Sequence, residues 1–162
     1  MLISNDLSDA LNATFRRYAT LKKNFVEFVT HLENGLGHPD SILKGLSVTP
    51  SLDANQVDIN FVGRTVRLVF SVAITEQESR PIGVVRCYSL VEYPEKKLVD
   101  TCGFTFMPSG ESNLKDSDND WLYVNHDWAA RCIGMHLVHE SLKKMNRLYH
   151  PHPEHEIFPN IK

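Results

Sequence analysis

"VDINFVGRTVRLVFSVAI" runs from Val57 to Ile74, and its reading decides the fold. Apolar residues fall at every second position, at Val57, Ile59 and Phe61, then at Val66, Leu68, Phe70, Val72 and Ile74. Successive side chains of a pleated strand point to opposite sides, so this period of two marks strands with one buried face. Between the runs, Gly63-Arg64 suits the Gly-X of a type II′ two-residue turn, which sets Phe61 against Val66 and Ile59 against Leu68. Turn chemistry and alternation agree on a hairpin with one apolar side.

The following runs extend the hairpin into a meander. "TEQESRP" (Thr75 to Pro81) reads as a loop and "IGVVRCYSLVEY" (Ile82 to Tyr93) as a strand. Centring the loop near Glu78 pairs Ile74 with Ile82 and Val72 with Val84, and sets Tyr88 opposite Leu68. A three-residue loop of Pro94, Glu95 and Lys96 then brings Cys102, Phe104 and Phe106 onto the same core face. This phasing turns Arg86 inward between Phe70 and Phe104. It also puts Cys87 and Cys102 on opposite faces, where they are unable to form a disulfide with each other. The opposite face then reads Arg67, Val69, Ser71 and Ala73, with Val85, Cys87, Ser89 and Val91 beside them and Val99, Thr101, Gly103 and Thr105 beyond. A solvated face carries more charge than that. It reads as covered, either by one of two long helices or by a second copy of the chain.

Before the hairpin the period is helical. Leu7, Leu11, Tyr18, Leu21, Phe25, Phe28 and Leu32 share one stripe, Ser4 or Asn5 suits the N-cap, and "NGLGHP" (Asn34 to Pro39) ends the helix. The stripe also fits a coiled-coil seam, although a helix laid across a sheet is the preferred reading. A short helix is expected over "PDSILKGL" (Pro39 to Leu46). After the meander, "MPSGESNLKDSDND" (Met107 to Asp120) reads as an acidic loop and "WLYV" (Trp121 to Val124) as a short strand. A last helix spans Asp127 to Tyr149 on a stripe of Trp128, Cys132, Met135, Val138, Leu142, Met145 and Tyr149. The expected organisation is one α+β domain over 1–162: N-terminal helices over 1–46, an antiparallel meander of four to five strands over 56–124, a C-terminal helix over 126–150 and a tail over 151–162. The order of helix and meander is similar in outline to cystatin-like α+β rolls, a likeness of layout carried by no motif.

The whole composition suits a globular chain. With 162 residues, 42% apolar and 23% charged, one domain can bury roughly 70% of its unfolded surface. A net charge of −3 leaves no basic footprint for nucleic acid. The apolar runs are too short for a membrane span, and the opening "MLISNDLSDALNATF" lacks a hydrophobic signal core. Three cysteines without CxxC spacing favour reduced thiols, and with them a cytoplasmic location.

Chemistry is sparsely signalled. "MHLVHESLKKMNRLYHPHPEHE" (Met135 to Glu156) holds five of the eight histidines, with His136 and His139 three apart on the last helix and His150, His152 and His155 among prolines. "HLVHE" matches neither HExxH nor HxxEH, so no metal site is assigned. Protonating all eight would carry the formal charge from −3 towards +5, so solubility or assembly is expected to change between about pH 5.5 and 7.5. Asp116, Asp118, Asp120 and Asp127 sit at calcium-hand positions, but Trp121 stands where glycine is required. Cys132, one turn from His136, belongs to the core stripe. No GxSxG, GxGxxG or P-loop occurs, no cofactor is implied, and the reading leans away from an enzyme. An inward Arg86 must be paired or meet a ligand, so Arg86, Tyr88 and His139 become candidate contacts for a small anionic ligand between sheet and helix. The leading expectation is a non-enzymatic interaction or small-ligand module working as a homo-oligomer, a dimer favoured, through the uncharged sheet face or the first helix's stripe. The alternatives are an enzyme or ligand-binding protein built on the Arg86, Tyr88 and His139 pocket, and a metal-binding protein built on the C-terminal histidines.

Overall fold

The structure, a computed structural model, describes residues 5–75 and 80–149, the last three by backbone alone. It is an α+β fold: helix α1 (Asn5–Gly35), seven strands, then helix α2 (Asp127–Tyr149). The strands are β1 (Ser47–Ser51), β2 (Gln56–Phe61), β3 (Arg64–Ile74), β4 (Pro81–Val91), β5 (Lys97–Phe106), β6 (Glu111–Lys115) and β7 (Trp121–Tyr123). They form an antiparallel meander in chain order, β1 and β7 at the edges, with seven strands where four to five were expected. The two additional strands are β1 and β6. "SVTPS" carries a proline that only an edge position tolerates, and "ESNLK" has no run of apolar residues to announce it. The expected helix over Pro39–Leu46 is absent; that segment is a chain of turns leading into β1.

In the β2–β3 hairpin, Ile59 faces Val66, Val57 faces Leu68 and Phe61 faces Arg64. The turn residues are therefore Val62 and Gly63, both left-handed (φ 48° and 75°), instead of Gly63 and Arg64. The difference from expectation is two residues, an even number, so every side chain keeps its face. This register opposes two pairs of fully buried side chains, and it holds the β-branched Val62 in a conformation such residues avoid.

The β3–β4 register differs by an odd number, and this reverses β4. Leu68 faces Cys87, Phe70 faces Val85 and Val66 faces Ser89. Gly83, Val85, Cys87, Ser89 and Val91 point into the core, while Val84, Arg86, Tyr88 and Leu90 point away. The physical reason lies at Gly83. It sits beneath the Phe106 ring, where a Cβ would come within 2.4 Å of a ring carbon, so only glycine can face inward there. At the other end of β4, Val91 pairs with Lys97, and a bulge at Thr101 then adds one residue to β5, so that Cys87 meets Cys102 and Val85 meets Phe104. The two one-residue shifts cancel. Phe104 and Leu68 lie on the same side as expected, with β4 alone inverted between them.

Both helices cover this inner face. Leu21, Phe25, Phe28 and Leu32 of α1 and Ile133 and Leu137 of α2 belong to one core with Val57, Leu68, Val85 and Phe104. Phe25 stacks on Phe70 at 4.9 Å, and Phe28 meets Phe104 edge-on at 5.7 Å. Such pairs add about 0.5–1.5 kcal/mol each beyond the area they bury. The helices approach closely at Gly134, where a Cβ would lie 2.5 Å from a Leu32 methyl. The buried side of α2 is Ala130, Ile133, Leu137 and Ser141 together with Val138 and Met145 of the expected stripe, so the helix is turned part of the way from it, and Trp128 and Met135 stand at its exposed margin. The expectation of helices on opposite faces is thus corrected. Among the described residues no element covers the outer face, which carries the Asp58–Arg67 pair (2.8 Å), the Arg86–Asp100 pair and an Asn60–Thr65 hydrogen bond.

Candidate functional site

The structure does not bring Arg86, Tyr88 and His139 together. Arg86 and Tyr88 lie on the outer sheet face, and His139 lies on α2, which packs on the inner face. The Arg86 guanidinium donates to Asp100 and is half exposed; the hydrogen bond to Asp100, with the carboxylate's charge, raises its pKa further. Tyr88 stands between Arg67 and Asp100 on the neighbouring strands. The His139 imidazole is 70% exposed, with Nδ1 3.8 Å from a Glu140 oxygen. The inward guanidinium and the pocket between sheet and helix both depended on the parity of β4, and Gly83 sets that parity the other way.

The histidine and aspartate constellations also resolve. His136 and His139 are exposed on α2, and His150, His152 and His155 lie outside the described residues. Among the described residues, no three His, Cys, Asp or Glu side chains gather as a metal site requires. Asp116 Oδ1 accepts the backbone N–H groups of Asp118 and Asp120, each at 2.9 Å, so this carboxylate closes the β6–β7 turn. No helix among the described residues is long and apolar enough to cross a membrane.

Three other features stand out. The first is the front half of α1. Its first buried residue is Leu21; before it, every residue from Asn5 to Thr20 except Ala13 is exposed. Leu11 is 62% exposed and Phe15 70%, on the same side of the helix that farther along buries Phe25 and Leu32 completely, while Tyr18, 38% exposed, already meets the Phe70 ring at 6.4 Å. The stripe was legible in sequence, but not the point at which the sheet stops supporting it. Lys22 marks that point: its Nζ donates to Leu52 O at 2.6 Å and to Asn55 Oδ1. Desolvation there pulls its pKa below the usual lysine value, against the pull of Asp53.

A cleft of about 300 Å³ is the second feature, lying between the turns after α1 and the start of α2. Leu36, Ile42, Leu43, Trp128, Arg131, Cys132 and Met135 line it. Arg131 Nη2 pairs with Asp127 at 3.0 Å, while its buried Nε has no hydrogen-bond partner among the described residues. Burial raises the Cys132 pKa.

Cys87 and Cys102 form the third feature. The two are directly opposed on β4 and β5, facing α2. Ser141 Oγ lies 3.6 Å from Cys102 Sγ and 2.8 Å from Thr101 Oγ1. The expectation that these cysteines lie on opposite faces is corrected by the reversal of β4; Gly83 beside an aromatic strand was the signal available. No protein-family model, curated protein or solved structure matches the chain.

Proposed function

We propose that the chain is a small non-enzymatic interaction module that works as a homodimer, joined through the first half of α1. One observation carries this reading: Leu11 and Phe15 stand exposed one turn apart, with the open edge of Tyr18 beside them, on the helix face that is core elsewhere. Single exposed apolar residues are ordinary, but a continuous row of them marks a contact surface. Charge favours a second copy as the occupant. Asp6 and Asp9 lie at one end of the row and Arg16 and Arg17 at the other. Two copies laid antiparallel about Leu11 bring the acidic end of each to the basic end of its partner, whereas a parallel pair would oppose like charges. Burying one such side chain contributes about 1.5–3 kcal/mol. Four of them, Leu11 and Phe15 from each copy, are on the scale of the roughly 4–15 kcal/mol that association costs.

Light scattering tests the reading. The native chain is expected to have twice its monomer mass, and the Leu11→Asp, Phe15→Asp double variant to be monomeric with an unchanged circular dichroism spectrum. A native chain that stays monomeric at high concentration would overturn it.

A second reading keeps a small anionic ligand but moves it to the cleft at Trp128. The observation that favours it is the buried Arg131 Nε, without a hydrogen-bond partner among the described residues, beside an indole and a methionine. Tryptophan fluorescence titrated with small carboxylates is expected to change in the native chain and not in Arg131→Met.

A further inference from the structure

The Cys87–Cys102 pair lies outside the self-association surface and is independent of that reading. Opposed residues of an antiparallel pair have Cα atoms about 4.5 or 5.5 Å apart, and a disulfide spans about 4.4–6.8 Å. Both cysteines are free thiols here, Cys87 fully buried and Cys102 half-buried. The Cys102 thiol donates to the Leu137 carbonyl at 3.8 Å, and two hydroxyls stand around its sulfur, Ser141 Oγ at 3.6 Å and Thr101 Oγ1 at 3.9 Å, the latter also donating to the Cys87 carbonyl at 3.1 Å. The Thr101 bulge places Thr101 beside Ser141 on the core side, so both hydroxyls reach one sulfur.

We propose that Cys87 and Cys102 form a redox couple that a hydroperoxide oxidises to an intramolecular disulfide, with Cys102 attacking and Cys87 resolving. The roles follow from access: Cys102 is the sulfur a small oxidant reaches, and Cys87 sits behind it. Hydrogen bonds support them. The Cys87 thiol, then Ser141 and Thr101, stabilise charge on the Cys102 sulfur and hold its pKa at about 6, although burial and Glu140 oppose this. The same bond and burial push the Cys87 thiol up, with a further push from Asp100 and a counter-pull from Arg86. Lys144 on α2 is engaged by the Asp100 carbonyl at 2.7 Å. A thiolate is the nucleophile in such chemistry, and the lowered Cys102 pKa raises the share of it present at neutral pH.

The steps balance. The Cys102 thiolate attacks one peroxide oxygen, the O–O bond breaks, and the departing oxygen takes a proton and leaves as water or alcohol. The resulting Cys102 sulfenic acid is attacked by the Cys87 sulfur as Cys87 gives up its proton. The S–O bond breaks, the S–S bond forms, and hydroxide leaves as water. Two electrons pass from the two thiols to the peroxide.

The test uses the whole folded chain, hydrogen peroxide, alkylation after unfolding, and peptide mapping by mass. The expected product has lost two hydrogens, joins the peptides carrying Cys87 and Cys102, and keeps one of its three cysteines, Cys132, alkylatable. In Cys87→Ala the oxidation is expected to stop at a Cys102 sulfenic acid trapped by dimedone. The oxidation rate of the native pair is expected to rise with pH to half its maximum near 6, in place of the ordinary thiol's value of about 8.5. Three alkylatable thiols after treatment, oxidation of Cys132 ahead of the pair, or a half-maximum at the ordinary value would each overturn the proposal.

Discussion

The two halves of α1 carry the same apolar stripe and meet different fates. From Leu21 to Leu32 the stripe is core: Phe25 and Phe28 lock into Phe70 and Phe104, and Gly134 lets α2 close against Leu32. From Leu11 to Phe15 the same face looks onto solvent, and Tyr18 marks the boundary, its ring 6.4 Å from that of Phe70. Periodicity tells which side of a helix is apolar; it does not tell what lies beneath. The helix is 31 residues, about 46 Å long. The sheet supports only its second half, and where its cover ends was set by strand lengths and turns far along the chain.

Three substitutions sharpen the contrast. The largest effect is expected from Phe28→Ala, which empties a fully buried site against Phe104 and should lower unfolding stability by about 3–5 kcal/mol in urea. Gly134→Ala comes next. It places a methyl where two leucine side chains of the α1 segment already stand, and about 1–3 kcal/mol of overpacking should appear in the same assay. The smallest effect belongs to Phe15→Ala, within about 0.5 kcal/mol when the chain is dilute enough to be monomeric. Equal losses for Phe15→Ala and Phe28→Ala under those conditions would break the contrast, because they would mean the front half is packed as well.

The sequence carried the fold class, the first hairpin's faces and the last helix's limits, since each rests on a long run with a single period. Parity survived the β2–β3 turn because the shift there was even. It failed at β4, where a loop of undefined length allowed an odd shift, and the cost was local: Arg86 and Tyr88 changed sides, and the pocket expected with His139 went with them. Gly83 holds the information that would have corrected it. A glycine inside a strand marks a close approach, here by the Phe106 ring. The Thr101 bulge had no such marker, and it is what sets Cys102 against Cys87. β1 and β6 were illegible because edge strands of polar residues share their composition with loops. In α2 the exposed Trp128 and Met135 read as core since an apolar side chain on a helix registers alike whether a cleft or a core lies against it.

Hydrogen exchange along α1, measured as a function of protein concentration, tests the account most directly. The front half extends a helix already formed, but without packing its turns open readily, so a second copy is what holds its amides. Amides of residues 5–20 should be protected at high concentration and lose that protection on dilution, while those of residues 24–35 stay protected throughout. Front-half amides that exchange at the same rate at every concentration would contradict the pairing of two copies.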